Sequence, residues 1–322
     1  AMLLSSITTM RSIPEAFNTF IGCGGTWAHT LPMKYWVETT TADVDVHCEI
    51  AAEFLACPPK AFNKDSVCVF STRTGTTPEI IEAAKFCQEQ GARTLMYVSN
   101  DNTPATEYAD YKFFSFAEDD VLCEAIYTYQ ITLVARFLKN AGAFPKYDTF
   151  MEEFGNIAPY LIKAKDAQDE RCAAMAEDFK DTDYHMVIGS GMLWGEAYDY
   201  AMCILEEMQW KRTRYITSAD FFHGTLELVE PGVPVFLFMG EDENRKLDER
   251  VRAFLNRGVT GDTDINIIDT AEFAIPGLDD EFRVIVSPWI LSSLITDRLA
   301  AYYETVTKHN LNYRRYYHQF DY

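Results

Sequence analysis

The sequence is short of positive charge and has no long uninterrupted hydrophobic run. Its 322 residues include 28 lysines and arginines against 49 aspartates and glutamates, a formal net charge of -21. This excess of negative charge repels a polyanion, so we expect no nucleic-acid partner. No apolar run approaches the roughly 18 residues that span a bilayer, and the first residues lack the basic-then-apolar order of a signal peptide. We therefore expect a cytoplasmic protein that has no membrane partner.

The cysteines lack the spacing of a metal or redox motif. None of the eight belongs to a CxxC pair, and several lie in apolar surroundings typical of small buried side chains. We therefore expect reduced thiols. No low-complexity linker interrupts the chain, and its 48% hydrophobic and 14% aromatic residues can form a substantial core. This length and composition allow two domains of ordinary size.

Short apolar segments alternate with helical patterns in both halves of the chain. The predicted strands are 17–21, 67–70, 94–98, 185–188, 214–217, 234–239 and 264–268. The predicted helices are 28–37, 78–90, 124–140, 146–179, 194–209, 246–257 and 288–307. Alternation of strand and helix indicates parallel sheets, and its repetition after Tyr184 predicts a duplicated α/β unit.

A turn rich in hydroxyl groups follows the predicted strand 67–70. Segment 71–77 combines serine, threonines, Arg73 and Gly75, and the next helix begins with Pro78. The free N–H groups and the dipole at a helix N-terminus can bind a phosphate dianion. An ordinary N-cap by Thr76 or Thr77 is an alternative that the local sequence supports about equally well.

The helix 194–209 contains a candidate general base. Its apolar positions include Ile204, and at about 100° per residue Glu206 lies roughly 200° from Ile204, whereas Glu207 lies only about 60° away. Glu207 is therefore the glutamate that we expect to face a cleft. Apolar surroundings there would suit a carboxylate that must gain and lose a proton. The alternative is that both glutamates are exposed charges on the helix surface.

His223 is the candidate partner of Glu207. It follows Glu207 by sixteen residues and lies between Phe222 and Gly224, where the glycine permits a close approach of the backbone. Together the two residues would supply an acid/base pair at a fixed separation. Taken alone, a histidine among aromatic residues is more often a hydrogen-bonded structural residue.

These motifs resemble those of the sugar isomerase (SIS) domain family. In the first half the resemblance is carried by segments 23–26, 48–54 and 71–77. The second half resembles the partner domain of glucosamine 6-phosphate synthase, whose catalytic glutamate precedes an HGP-type histidine by the same interval. The strongest resemblance is to the fructoselysine 6-phosphate deglycase group. It is carried by segments 223–234, 240–245, 309–310 and 314–317.

The resemblance implies an α/β fold of two SIS domains, each a parallel sheet flanked by helices in a flavodoxin-like three-layer sandwich. The implied organisation is a first SIS domain, a linking helix, a second SIS domain and a C-terminal tail over the active site. Their boundaries are 1–150, 151–180, 181–300 and 301–322. Because the family's histidine commonly enters the neighbouring subunit's active site, a homodimer or a higher homo-oligomer is also implied.

The resemblance further assigns roles to individual residues. It implies that Glu207 transfers protons and that His223 acts as acid or base at the sugar oxygens. The residues implied in binding the phosphate or the rest of the substrate are Gly25, Thr26, Thr72, Arg73, Thr74, Thr77, Glu124, Arg314 and Tyr316. Glu124 is equally well explained as a first-turn carboxylate that favours the helix dipole. Arg314, Arg315 and Tyr316 either close over the substrate or anchor the C-terminus.

Three departures from the family pattern stand out. Thr225 occupies the position where the family usually has proline, and threonines replace the usual serines of the turn 71–77. The lysine that glucosamine 6-phosphate synthase supplies from its tail has no counterpart.

The resemblance implies hydrolysis of a 6-phosphorylated fructosamine to glucose 6-phosphate and an amino acid, through an enaminol and an imine, with no metal or other cofactor. The alternatives are an aldose/ketose phosphosugar isomerase and a non-catalytic sugar-phosphate sensor.

Overall fold

The computed structural model describes residues 18–114, 123–258, 261, 264–317 and 319–320. The chain divides into two compact units, Ala1–Glu152 and Glu153–Tyr322. Segment 151–180, which we predict as a linking helix, contains the end of one helix and all of two others. The predicted domain boundaries stay a prediction.

The first unit is built on a parallel sheet. Its strands are β1 (Asn18–Gly22), β2 (Val46–Ile50), β3 (Val67–Thr72), β4 (Arg93–Val98) and β5 (Tyr111–Phe114). Among the described residues these five strands lie in the order β2–β1–β3–β4–β5. This order is that of flavodoxin-like folds, in which ligands bind at the carboxyl ends of β1 and β3.

Helices flank the first sheet. They are α1 (Gly25–Ala28), α2 (Leu31–Thr40), α3 (Ala51–Ala56), α4 (Pro78–Glu89) and α5 (Cys123–Asn140). The start of α4 follows from Pro78, whose fixed φ suits the first helical position. Gly91, with φ of 80°, follows the end of α4 and provides the left-handed conformation that commonly ends a helix. Ile80, Ala83 and Ala84 of α4 pack into a buried core with Ile21 and Phe70 of the sheet.

The second unit repeats the architecture with one strand fewer among the described residues. Its strands are β6 (Tyr184–Ile188), β7 (Arg212–Ile216), β8 (Val235–Met239) and β9 (Ile265–Asp269). They are parallel and lie in the order β7–β6–β8–β9. All five residues of β8 are buried, as expected for a central strand that is covered on both faces. The prediction of two parallel sheets flanked by helices is therefore confirmed, while the three-layer detail stays a prediction.

The remaining helices precede, flank and follow the second sheet. They are α6 (Tyr147–Gly155), α7 (Ala158–Ala167), α8 (Asp169–Phe179), α9 (Trp194–Asp199), α10 (Arg245–Leu255), α11 (Asp280–Leu291) and α12 (Asp297–Thr307). Two π-helical segments, Tyr200–Met208 and Ser292–Thr296, continue α9 and α11.

One stretch of the described chain, Asp280–Thr307, is long and apolar enough to cross a membrane, with a mean hydropathy of 1.3. However, 78% of this window is buried inside the protein. A core helix of a globular unit has the same length and composition, so the stretch is weak evidence for a membrane segment.

Candidate functional site

The phosphate-binding residues predicted in the first unit meet at one edge of its sheet. β1 and β3 are neighbouring parallel strands, with Ile21 beside Phe70. The segment 23–26 follows β1, and the turn 71–77 includes the end of β3. The carboxyl ends of these two strands form the point where the strand order reverses, which is the usual ligand site of such sheets. The fold therefore brings Gly25 and Thr26 to the same edge as Thr72 and Thr77.

The turn 71–77 is shaped by its glycine and its hydroxyl groups. Gly75 has φ of 66°, and a Cβ there would lie 2.1 Å from Oγ1 of Thr103. Its backbone N–H donates to Oγ1 of the buried Thr72 at 3.3 Å. The hydroxyl groups of Thr74 and Thr76 lie 2.7 Å apart on the exposed side. These contacts hold the turn in a compact shape at the start of α4.

Thr77 does not act as the capping residue that we considered as an alternative. It immediately precedes α4 with an extended backbone, yet its side chain makes no capping hydrogen bond. The hydroxyl group is therefore not committed to the helix. This arrangement favours the phosphate interpretation over an ordinary N-cap.

The segment after β1 is held by its own side chain. Oγ1 of Thr26 donates to the backbone oxygen of Cys23 at 2.9 Å. Gly25 begins the short helix α1, and a Cβ on Gly22 would lie 2.8 Å from the backbone of Trp27. The close approach of the backbone explains why glycine ends β1.

Two hydroxyl groups near the turn did not emerge from the sequence. Ser99 directly follows β4, and its N–H donates to the backbone oxygen of Arg73 at 3.1 Å. Oγ of Ser99 and Oγ1 of Thr103 are buried and have no hydrogen-bond partner among the described groups. Both residues follow β4, the strand next to β3, and parallel strands end at the same edge of a sheet. Their position in the sequence could therefore have predicted that they lie near the turn.

The other predicted substrate-binding residues of the first unit are less enclosed. Arg73 and Thr74 are exposed. Glu124 lies half-buried in the first turn of α5, and its backbone oxygen accepts a hydrogen bond from Thr128 at 2.6 Å. This position leaves both interpretations of Glu124 open, as a substrate-binding residue or as a first-turn carboxylate.

The helix that carries Glu207 differs from the regular α-helix that we predict. It is α-helical only to Asp199, and Tyr200–Met208 has the wider i→i+5 hydrogen bonding of a π-helix. The rotation of 100° per residue therefore does not apply at Glu206 and Glu207. Both glutamates are half-buried, so neither is a fully exposed surface charge. π-Helical turns are frequent at functional sites.

The two glutamates have different partners. Oε1 of Glu206 accepts a hydrogen bond from the hydroxyl group of Thr213 in β7. Oε1 of Glu207 lies 2.8 Å from Nη2 of Arg314, and the two side chains are 29% and 17% exposed. Glu206 is thus bound to the sheet, whereas Glu207 faces the C-terminal tail.

The tail is anchored on the turn that holds Glu207. Nη1 of Arg314 donates to the backbone oxygens of Leu311 and Tyr313, and the guanidinium of Arg315 lies 4.2 Å from the ring centre of Trp210. Tyr316 is 68% exposed. The tail therefore packs against its own unit and also places a cation on the candidate base.

His223 lies on the surface of the second unit. It ends the 3₁₀ turn Phe221–His223 after β7 and is exposed. It lines an open cleft of about 450 Å³. The other lining residues are Arg214, Ile216, Asp220, Gly224, Thr225 and Leu228.

Within the second unit, β7 separates His223 from Glu207. Thr213 and Tyr215 face α9 and its π-helical extension, where Thr213 contacts Glu206 and the Tyr215 ring lies 5.2 Å from that of Tyr198. Arg214 and Ile216 face the His223 cleft. Because side chains alternate between the faces of a strand, the two candidates lie on opposite faces of β7. They also lie at opposite ends of it, since Glu207 precedes the strand and His223 follows it.

At the carboxyl edge of the second sheet, two carboxylates contact the loops after β6, β7 and β8. Asp242 accepts hydrogen bonds from the backbone N–H groups of Met192 and Asn244, at 2.9 and 2.7 Å. Asp248, 1% exposed, accepts from the hydroxyl group of Ser218 at 2.6 Å. Burial raises the pKa of Asp248 from 3.8 to about 7, against the opposing effect of the Ser218 hydrogen bond.

Comparison with known proteins supports the resemblance to the SIS family. Residues 19–138 match the SIS domain. The fructosamine deglycase FrlB of Bacillus subtilis is 25% identical over 310 residues, which cover 95% of this chain and 92% of that protein. The fructoselysine 6-phosphate deglycase of Escherichia coli is 24% identical over 303 residues, covering 92% of this chain and 84% of that protein.

The fold also matches solved structures. A Bacillus subtilis structure, provisionally named a phosphosugar isomerase, superposes with a TM-score of 0.91 at 24% identity and covers 99% of this chain and 96% of its own. This likeness shows the shared fold. The match of residues 19–138 to the SIS domain and the similarity to the two deglycases confirm the resemblance of the chain to this family.

Proposed function

We propose that this protein is a deglycase, which hydrolyses a 6-phosphorylated fructosamine to glucose 6-phosphate and a free amino acid. The carboxylate of Glu207, which the tail residue Arg314 contacts at 2.8 Å in a π-helical turn, is the observation that carries the proposal. The similarity to two deglycases over more than 90% of the chain supports the choice of reaction. A cytoplasmic location is part of the same proposal.

The first sheet would bind the phosphate. Thr26, Thr72, Arg73, Thr74 and Thr77 lie around the carboxyl ends of β1 and β3. The hydroxyl groups of Thr72, Thr74 and Thr77, the Arg73 guanidinium and the N-terminus of α4 offer donors and positive charge to a dianion. The Thr26 hydroxyl donates to Cys23 and would instead hold the shape of the loop after β1. Binding at the phosphate would hold the substrate in a fixed orientation.

Glu207 would transfer the proton between two sugar carbons. It would remove a proton from C1 of the ketosamine, which gives the enaminol, and a proton returned to C2 would give the imine of the aldose. Water then hydrolyses the imine to glucose 6-phosphate and the amine. Substrate would have to displace Arg314 from Oε1 of Glu207 or bind beside it, so the tail would respond to an occupied site.

The catalytic site would be shared between two copies of the chain. Glu207 and His223 lie on opposite faces of β7, so one copy does not bring them together across its own sheet. A second copy could present its exposed His223 to Glu207, where the imidazole would act on the sugar oxygens. A homodimer is the smallest assembly with this property, and we propose at least a dimer.

The test is release of glucose 6-phosphate from a panel of 6-phosphorylated Amadori compounds, followed with a coupled dehydrogenase. We expect wild-type release and a loss of at least about 1000-fold in kcat for Glu207→Gln, because the amide cannot take up the C1 proton. Arg212→Gln is the matched surface control. Interconversion of aldose and ketose phosphates without amine release would instead identify an isomerase. Tight sugar-phosphate binding without turnover would identify a sensor.

A further inference from the structure

The cleft around His223 contains an arginine and an aspartate that do not pair with each other. Arg214 and Asp220 both line it, and neither forms an ion pair with another described residue. Elsewhere on the same strand, Arg212 is paired with Asp183. Two unpaired opposite charges in one cleft suit a ligand that carries both an anionic and a cationic group.

Thr225 fixes the arginine in this cleft. Its Oγ1 accepts from both Nε and Nη2 of Arg214 at 3.3 Å, and Thr225 is only 6% exposed. These contacts use one edge of the guanidinium and leave Nη1 and the second N–H of Nη2 for a carboxylate. A proline at position 225, as the family usually has, would offer no acceptor to Arg214. The threonine therefore orients Arg214 in this chain through a contact that a proline could not make.

Apolar surface lies next to these charges. Leu228, 42% exposed, and the buried Ile216 line the same cleft. An aliphatic chain can lie along Leu228 while charged groups at its end reach Arg214 and Asp220. The cleft thus combines the contacts needed for the free end of an amino acid with a methylene side chain.

We propose that this cleft, presented together with His223 by the second copy of the chain, binds the amino-acid part of the substrate, with the α-carboxylate on Arg214 and the α-ammonium on Asp220. The inference rests on the proposed function and deepens it. Arg214, Asp220 and Thr225 become residues that determine specificity for the amine. Because both α-groups must be free, the cleft selects fructosamines whose sugar is attached through the side-chain nitrogen of the amino acid.

Three matched substrates test the assignment. They are the fructosamine 6-phosphates of lysine through Nε, of cadaverine, which lacks the carboxylate, and of 6-aminohexanoate, which lacks the ammonium. We expect Arg214→Gln to lower kcat/KM about ten- to a hundredfold more for the lysine and aminohexanoate compounds than for the cadaverine compound. Asp220→Asn should affect the lysine and cadaverine compounds more than the aminohexanoate compound.

Thr225→Val separates orientation of the arginine from its charge. It keeps the shape of the side chain and removes the acceptor, so we expect the selectivity pattern of Arg214→Gln with a smaller amplitude. Arg212→Gln removes the same charge from the same strand outside the cleft and should leave the selectivity as in wild type. An equal loss on all three substrates for Arg214→Gln would overturn the proposal, since a structural defect has no preference for the carboxylate.

A binding experiment keeps the inference separate from the proposed reaction. If wild type releases glucose 6-phosphate from no compound of the wider panel, the deglycase proposal fails and the cleft is tested by calorimetry with free lysine, cadaverine and 6-aminohexanoate. Release from α-linked compounds alone keeps the deglycase proposal and refutes the cleft. Binding of lysine that weakens about tenfold or more in Arg214→Gln supports the cleft. Absence of lysine binding, or binding of lysine and cadaverine with equal affinity, refutes it.

Discussion

The carboxyl edges of the two sheets differ in whether their polar groups are hydrogen-bonded within the protein. In the first unit, the hydroxyl groups of Ser99 and Thr103 have no hydrogen-bond partner among the described groups, and Thr77 makes no capping bond. In the second unit, the backbone N–H groups of Met192 and Asn244 are bonded to the carboxylate of Asp242. This contrast supports our proposal that the first edge binds an external anion, whereas at the second edge a carboxylate of the protein itself occupies the N–H groups.

This difference explains how a chain with two similar units can have a phosphate site in only one of them. N–H groups at the end of a parallel strand favour negative charge wherever the fold is repeated. Asp242 places a carboxylate there from within the chain, and Gly191 makes room for it, since a Cβ on Gly191 would lie 2.5 Å from the carboxylate oxygens. The second sheet can therefore serve as a structural support for Glu207 and His223 without binding a phosphate.

The largest expected effect on stability comes from Asp248, which lies with Asp242 at the carboxyl edge of the second sheet. Its raised pKa means that the folded protein holds a proton between pH 4 and about 7, where the unfolded chain has lost it. The free energy of unfolding therefore falls as the pH rises through this range. Relative to Asp248→Asn, we expect the wild type to lose on the order of 3 kcal/mol between pH 5 and pH 8.

Urea unfolding of both proteins at several pH values measures this difference. Subtracting the free energy of unfolding of one protein from that of the other at each pH removes the contributions of the other titrating groups. The change of this difference with pH then reports on Asp248 alone. Asn at position 248 accepts from Ser218 but does not ionise, so the difference should level off above about pH 7. Parallel curves from pH 5 to pH 8 would show that Asp248 is not protonated in the folded state.

The second expected effect is structural and tests Asp242 as the internal anion. Asp242→Ala leaves the N–H groups of Met192 and Asn244 without their acceptor, at a cost of about 2 kcal/mol in the free energy of unfolding. Glu243→Ala removes the same charge from an exposed position of the same loop and should change stability by less than about 0.5 kcal/mol. If the two variants were equally stable, Asp242 would not stabilise the N–H groups of the second sheet, and the proposed contrast between the two edges would be wrong.

The central parts of the fold could be predicted from the sequence because their pattern is strong. β3 and β8 are short apolar runs that become buried strands. β2 and β5 escaped prediction because they form the edges of the first sheet and contain polar residues such as His47 and Lys112. Edge strands are covered on fewer sides and need no continuous apolar run.

The candidate site shows a different limit. Glu207 stood out by its distance from His223 along the chain, but the π-helical turn that orients it leaves no recognisable period in nine residues. The separation of Glu207 from His223 by β7 depends on which face each residue of an edge strand presents. Neither that choice nor the contact between Arg214 and Thr225 follows from local propensity, since both depend on tertiary packing.

The smallest expected effect concerns the open edge of the first sheet. Thr77→Val removes the uncommitted hydroxyl group and keeps a side chain that tolerates its extended backbone, with φ of -63° and ψ of 120°. We expect the Kd for glucose 6-phosphate to rise about tenfold, because one hydrogen bond to a charged phosphate is lost. Thermal stability should stay the same, since no capping bond is removed.

Calorimetry of glucose 6-phosphate binding checks both the affinity and the contrast between the two edges. Thr305→Val is the matched control, because it makes the same hydroxyl-to-methyl change at an exposed helical position of the second unit. This variant should bind glucose 6-phosphate as the wild type does. The wild type should bind one phosphate monoester per chain, because Asp242 occupies the corresponding position of the second sheet. A stoichiometry of two would mean that the carboxylate yields to phosphate and that both edges are ligand sites.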